Sequence, residues 1–149
     1  PKCRECGALE RHRMLYGFIS DRWKGKPTPS FLCVGEGLPT AANRFAAFRK
    51  TSLADLQKDA GERQYDAVLT MNVLGDNPDL ADALEHLVMA LHDKSILLLY
   101  EPTRRNADSA FEQEVFECLP NTHVSTAQLR DAATGDSGVV TVVQPDRIA

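Results

Sequence analysis

The sequence predicts an α/β fold in three layers, a mostly parallel sheet between helices that is completed by a C-terminal antiparallel hairpin. Three observations point there. Short apolar runs alternate with longer amphipathic segments as far as residue 119, the rhythm of strand-helix units. The short runs are almost continuously apolar, as strands covered on both faces are. Two β-rich runs separated by turn-forming residues then end the chain. With 149 residues, 43% of them hydrophobic, the chain suits one domain, residues 1–149, with a sizeable core.

Residues 8–23 form the leading helix. In LERHRMLYGFISDRW, His12, Tyr16, Ile19 and Trp23 recur on one helical face with Leu15 beside it. The prolines and glycine of KGKPTPS stop that helix, and FLCV follows as a short buried strand. Residues 40–64 carry mixed signals: the alanines of TAANRFAAFRK favour a helix, while TSLADL reads as a short strand or a loop. YDAVLTM, residues 65–71, is a buried strand with β-branched Val68 at its centre.

Asn77 as cap, Pro78 in the first turn, and Asp79 and Asp82 at the positive end of the dipole open the next helix. Leu80, Leu84, Leu87, Val88 and Leu91 mark its apolar stripe, with His86 and His92 on or near the exposed side. SILLLY, residues 95–100, is a strand covered on both faces. Ser109 and Glu112 have capping-box spacing for a last helix that buries Phe111, Val115, Cys118 and Leu119. HVSTAQL and GVVTVVQ, joined by RDAATGDS, make the hairpin.

A net charge of -4 argues against broad nucleic-acid binding, which needs a basic face to neutralise phosphates. No apolar run approaches the length of a membrane span, and PKCRECGALERHR lacks the apolar core of a secretory signal, so a cytoplasmic location is expected. The four unevenly spaced cysteines do not suggest a disulfide framework; reduced thiols are expected, with Cys33 and Cys118 as buried apolar fillers. The chain begins with Pro rather than Met, as a piece of a longer protein would.

In open α/β sheets ligands bind beyond the carboxyl ends of the strands, so the segments after Val34, Met71 and Tyr100 are the places to look. After the first strand, GEG places Gly35 and Gly37 around Glu36. Glycine tolerates positive φ and lets a backbone approach a ligand, but the same residues also make an ordinary strand-to-helix turn. No Walker-type loop, His pair for a metal or Ser-His-Asp order is apparent, which weakens hydrolase and triphosphatase readings.

The stretch YDAVLTMNVLGDNPDLADALEHLVMALHDKSILLLYEP resembles the part of class I S-adenosylmethionine-dependent methyltransferases that runs from their fourth strand to their fifth. Tyr65 and Asp66 match the dipeptide opening that strand, and Asn72, Val73 and Leu74 match the segment after it. CRECGALERHRMLYGFI is similar to the Cys-x-x-Cys-Gly-Ser-Leu-Glu-Arg-His-Arg opening of a bacterial, methyltransferase type 11-like subgroup. The resemblance implies a Rossmann-like sheet and S-adenosylmethionine as cofactor. It also implies a cofactor site at Gly35, Glu36, Gly37, Asp55, Met71 and Asn72, in which Gly35 and Gly37 approach the methionine part and Asp55 contacts adenine. Arg11 and Arg13 would meet an anionic substrate or carboxylate, or else form a solvated helix face.

The sequence also departs from the family. Cys33 stands where the first motif has an acid, and Leu38 and Pro39 stand near the next glycine. Seventeen residues separate Gly37 from Asp55, so at least one αβ unit is expected to be lost or shortened and the motif to be partly degenerate. Cys3 and Cys6, within residues 1–7, have the spacing of half a zinc knuckle. Such a site needs two further ligands, with His12 or upstream sequence as sources; a reduced, metal-free terminus is the alternative. Two functions follow: a methyltransferase acting on a small-molecule or surface-accessible substrate, or a degenerate methyltransferase-like domain that binds a ligand or a protein partner. A nucleotide-binding Rossmann domain is a third reading, weakened by the missing third glycine.

Overall fold

The computed structural model describes residues 10–35, 47–58, 64–75, 78–101, 108–131, 135 and 137–145. In chain order the elements are α1 (Glu10–Arg22), β1 (Ser30–Gly35), β2 (Ala47–Thr51), α2 (Leu53–Lys58), β3 (Tyr65–Met71), α3 (Leu80–Met89), β4 (Leu91–Tyr100), α4 (Asp108–Cys118), β5 (Thr122–Arg130) and β6 (Ser137–Pro145). The strands form one six-stranded sheet in the order β2-β1-β3-β4-β6-β5. The first four are parallel, and β6 pairs antiparallel with both β4 and β5. The predicted sheet and terminal hairpin are therefore present.

Alternation along each strand makes the three layers, because successive side chains point to opposite faces. Leu32 and Val34 of β1, with Val68, Leu97 and Leu99, pack under α2, α3 and α4 through Leu56, Leu84, Leu87, Phe111 and Val115. Phe31 and Cys33, with Leu69, Ile96 and Leu98, pack under α1 through Met14, Leu15 and Ile19. Truncating a fully buried leucine such as Leu84 or Leu98 to Ala costs about 2–5 kcal/mol. The centre of α1's buried face is Leu15 and Ile19, while Tyr16 and Trp23 flank it, half-buried. The expected face was thus displaced by one position.

Further expectations change. Ala47–Thr51 is a strand rather than helix, and Leu53–Lys58 is a helix rather than strand or loop. Pairing with β1, from Ser30 with Ala47 to Val34 with Thr51, imposes the extended form on an alanine-containing segment. Ser52 then starts α2, its Oγ accepting from the N–H of Asp55 at 3.1 Å. In α3 the cap is Asp79, whose Oδ1 accepts from the N–H of Asp82 at 3.1 Å; Asn77 lies outside the described residues. The helix ends at Ala90, so Leu91 and His92 belong to β4. Leu91 falls four residues after Leu87, which a helical period cannot distinguish from a continuing stripe, but its backbone pairs with Tyr65. The Glu112 carboxylate accepts from Thr126 Oγ1 on β5, and the side chain of Ser109, its expected capping-box partner, lies outside the described part.

The start of the sheet is stapled by side chains. Ser30 and Asp66 exchange two hydrogen bonds, each of 2.9 Å, between one residue's N–H and the other's side chain. Residues 92–95 bulge out, since Tyr65 pairs with Leu91 but Ala67 with Ile96. Within the bulge the N–H of Lys94 donates to His92 Nδ1 at 3.1 Å, which leaves the ring proton on Nε2, donating to Asp66 Oδ1 at 2.6 Å. Burial raises the Asp66 pKa, but the hydrogen bonds from Ser30 and His92 outweigh it, so the carboxyl lies below its usual 3.8.

Candidate functional site

The register aligns the carboxyl ends of the parallel strands on one edge: Val34 with Thr51, Gly35 with Met71, and Met71 with Tyr100. From β1 the chain turns to β2 on one side, whereas β3 and β4 lie on the other. The order therefore reverses between β1 and β3, where open α/β sheets form their ligand crevice. Gly35 and the segment following Met71 meet at that point.

Gly35 has φ 96°, a conformation that L side chains rarely adopt. A Cβ placed there would lie 2.3 Å from Val73 Cγ2 and 3.2 Å from the carbonyl oxygen of Met71. The glycine thus admits the loop after β3, and the space above it holds a protein methyl group. Asn72 is the described non-glycine residue at positive φ, 55°, and its side chain is exposed. Its N–H donates to the carbonyl of Tyr100 at 3.0 Å. An exposed amide held in the left-handed region at a switch point is the kind of strain found at ligand sites.

Glu101 explains how this loop is held. It is fully buried just past β4. Its Oε2 accepts from Thr70 Oγ1 at 2.9 Å and from the N–H of Val73 at 3.1 Å, and its Oε1 accepts from the N–H of Leu74 at 2.6 Å. A buried carboxylate is costly unless such donors surround it. Leu74, also buried, anchors the same loop in the core beneath α3. The sequence reading gave Glu101 no role, although an acid directly after a six-residue buried run was a visible signal.

Of the expected cofactor residues, Gly35, Asn72 and Asp55 come to this edge. Asp55 is exposed in the first turn of α2, just beyond the end of β2. Met71 reaches the edge through its backbone only, because its side chain is 1% exposed in the core under α1. Glu36 and Gly37 lie outside the described residues. Arg11 and Arg13 are in the first turn of α1, at the same pole, since Met14 approaches Tyr100 beside Gly138; their side chains fall outside the described part. Cys3 and Cys6 are outside it too, and among the described residues no cluster of three or more His, Cys, Asp or Glu could hold a metal ion. Cys33 is buried and Cys118 half-buried. Among the described residues no helix is long and apolar enough to cross a membrane.

No family model matches the chain, and no curated protein matches its sequence. Solved structures do. The N-methyltransferase NodS from Bradyrhizobium japonicum WM9, in complex with S-adenosyl-L-homocysteine, aligns with TM-score 0.62 and 14% identity over 91% of this chain and 86% of its own. An S-adenosyl-L-methionine-dependent methyltransferase described as putative, from Methanococcus maripaludis, gives 0.63 and 13% over 93% and 86%. A methyltransferase, also described as putative, in complex with the Trm112 activator of Haloferax volcanii gives 0.61 and 11% over 94% and 91%. This chain therefore has the α/β Rossmann-like fold of S-adenosylmethionine-dependent methyltransferases.

Proposed function

We propose that the chain binds S-adenosylmethionine at the carboxyl edge between β1 and β3 and transfers its methyl group to a small or surface-accessible acceptor. The observation that carries this reading is the meeting of Gly35 and Asn72, both at positive φ, at the point where strand order reverses. Asp55 adds to it: it stands twenty residues past Gly35, a spacing at which an acid beyond the second strand of a Rossmann unit reaches ribose hydroxyls. Gly35, Asp55 and Asn72 would hold the cofactor, with Glu36 and Gly37 next in the chain.

When bound, the cofactor supplies an electrophilic methyl group on sulfonium. The chain's own contribution is placement, since a methyl transfer gains most from holding donor and acceptor in line. Glu101 fixes the backbone of Val73 and Leu74 and so sets where Asn72 presents its amide. Arg11 and Arg13, at the same pole, supply charge for an anionic acceptor.

A degenerate domain that binds a ligand or a protein without catalysis is the second reading. It is favoured by the Val73 methyl packed over Gly35. Calorimetric titration with S-adenosylmethionine and S-adenosylhomocysteine separates the two. Micromolar binding that weakens about tenfold or more in Asp55→Ala or Asn72→Gly supports the cofactor site. Both side chains are exposed, so the fold survives either change. No heat at millimolar ligand sinks the cofactor reading in favour of the second.

A further inference from the structure

The opposite pole of the sheet carries a separate recess of about 420 Å³, lined by Arg22, Trp23, Lys26, Asp66, His92 and Lys94. Its size is that of a small-molecule pocket. Four segments converge on it: the end of α1, the turn after it, the start of β3 and the β4 bulge. The turn is defined by Gly25 at φ 75° and by the N–H of Lys26, which donates to the carbonyl of Trp23 at 3.0 Å. The Arg22 guanidinium lies 5.9 Å from the Trp23 ring centroid, a cation–π contact that orients it.

The electrostatics are lopsided. Asp66, the one acid among the described residues of the lining, already accepts from the Ser30 N–H and from His92. The side-chain charges of Arg22, Lys26 and Lys94 have no acidic partner among the described residues. Three such cations against the Asp66 carboxylate leave the described lining with an excess of positive charge, on a chain of net charge -4, which a bound anion would offset. A second recess of about 160 Å³ shares Trp23 and Lys26 and extends between α1 and residues 28–29, with Ile19 and Pro29 as apolar walls.

We propose that this pole binds a phosphate monoester, its dianion among Arg22, Lys26 and Lys94 and its compact apolar part in the smaller recess beside Trp23. Arginine and lysine together suit such a group, one as a planar fork and the other as point charges. The site lies at the amino ends of β1, β3 and β4, away from the carboxyl edge.

Trp23 is the single tryptophan, so its fluorescence reports the recess directly. The protein would be titrated with phenyl phosphate, inorganic phosphate and phenol at constant ionic strength. The expected result is saturable binding of phenyl phosphate near about 1 mM or tighter, inorganic phosphate about tenfold weaker and phenol without saturation. A Lys26→Glu, Lys94→Glu double variant should bind phenyl phosphate at least about tenfold less tightly. Both lysines are exposed, and an unchanged melting curve would show that the fold is retained. Absence of saturation with phenyl phosphate overturns the proposal, as does equal affinity for inorganic phosphate or an unaltered response in the double variant.

Discussion

Glu101→Gln tests whether a buried carboxylate holds the loop at the carboxyl edge. The replacement keeps the side chain's shape but removes its charge and turns one acceptor oxygen into a donor. If the amide oxygen faces Thr70 and Val73, the NH₂ group confronts the N–H of Leu74, which in the parent donates to Oε1 at 2.6 Å. Losing the charge assistance costs about 1 kcal/mol, and a buried N–H left without an acceptor about 1–3 kcal/mol more. The expected destabilisation is therefore about 2–4 kcal/mol. In urea at neutral pH this lowers the midpoint by roughly 1–2 M, for a slope of about 2 kcal/mol/M. The amides of Val73 and Leu74 should also lose hydrogen-exchange protection ahead of the core strands. A variant within about 0.5 kcal/mol of the parent, the range of an ordinary surface change, would refute the reasoning.

Two other outcomes follow from polar groups elsewhere. Folding lowers the Asp66 pKa below 3.8, so its charge stabilises the protein fully above about that pH and progressively less as pH falls below it. The stability difference between the parent and Asp66→Asn should shrink under acid below about pH 3.8, and a difference that stays level through that range would contradict the Ser30–Asp66–His92 staple. Tyr65 is buried, and its hydroxyl has no hydrogen-bond partner among the described residues. Tyr65→Phe should leave stability unchanged or raise it by up to about 1–3 kcal/mol, the cost of an unsatisfied buried group; a loss of more than about 1 kcal/mol in thermal unfolding would reveal a bond for that hydroxyl.

The layers were legible because burial leaves a local trace. The apolar runs at β1, β3 and β4 show strands covered on both faces, and Leu80, Leu84 and Leu87 mark one face of α3 at helical spacing. Gly35 and Asn72 were readable as the residues that end two such strands. By contrast β2 left little trace, since five residues with alanine, arginine and lysine become a strand only when β1 is there to pair with them. His92 was misplaced for a related reason: Leu91 fits both the helical stripe and the strand, and only pairing with Tyr65 decides between them.

The sequence by itself determined the α/β class, the two-faced core and the edge on which ligands gather, because hydrophobic periodicity and strand-ending glycines are local properties of the chain. Tertiary structure alone decided that Val73 fills the space above Gly35, that Glu101 holds the loop carrying Asn72, and that Arg22, Lys26 and Lys94 meet in one recess. Each of these joins residues far apart in sequence, and their meeting depends on strand order and register, which no local pattern encodes.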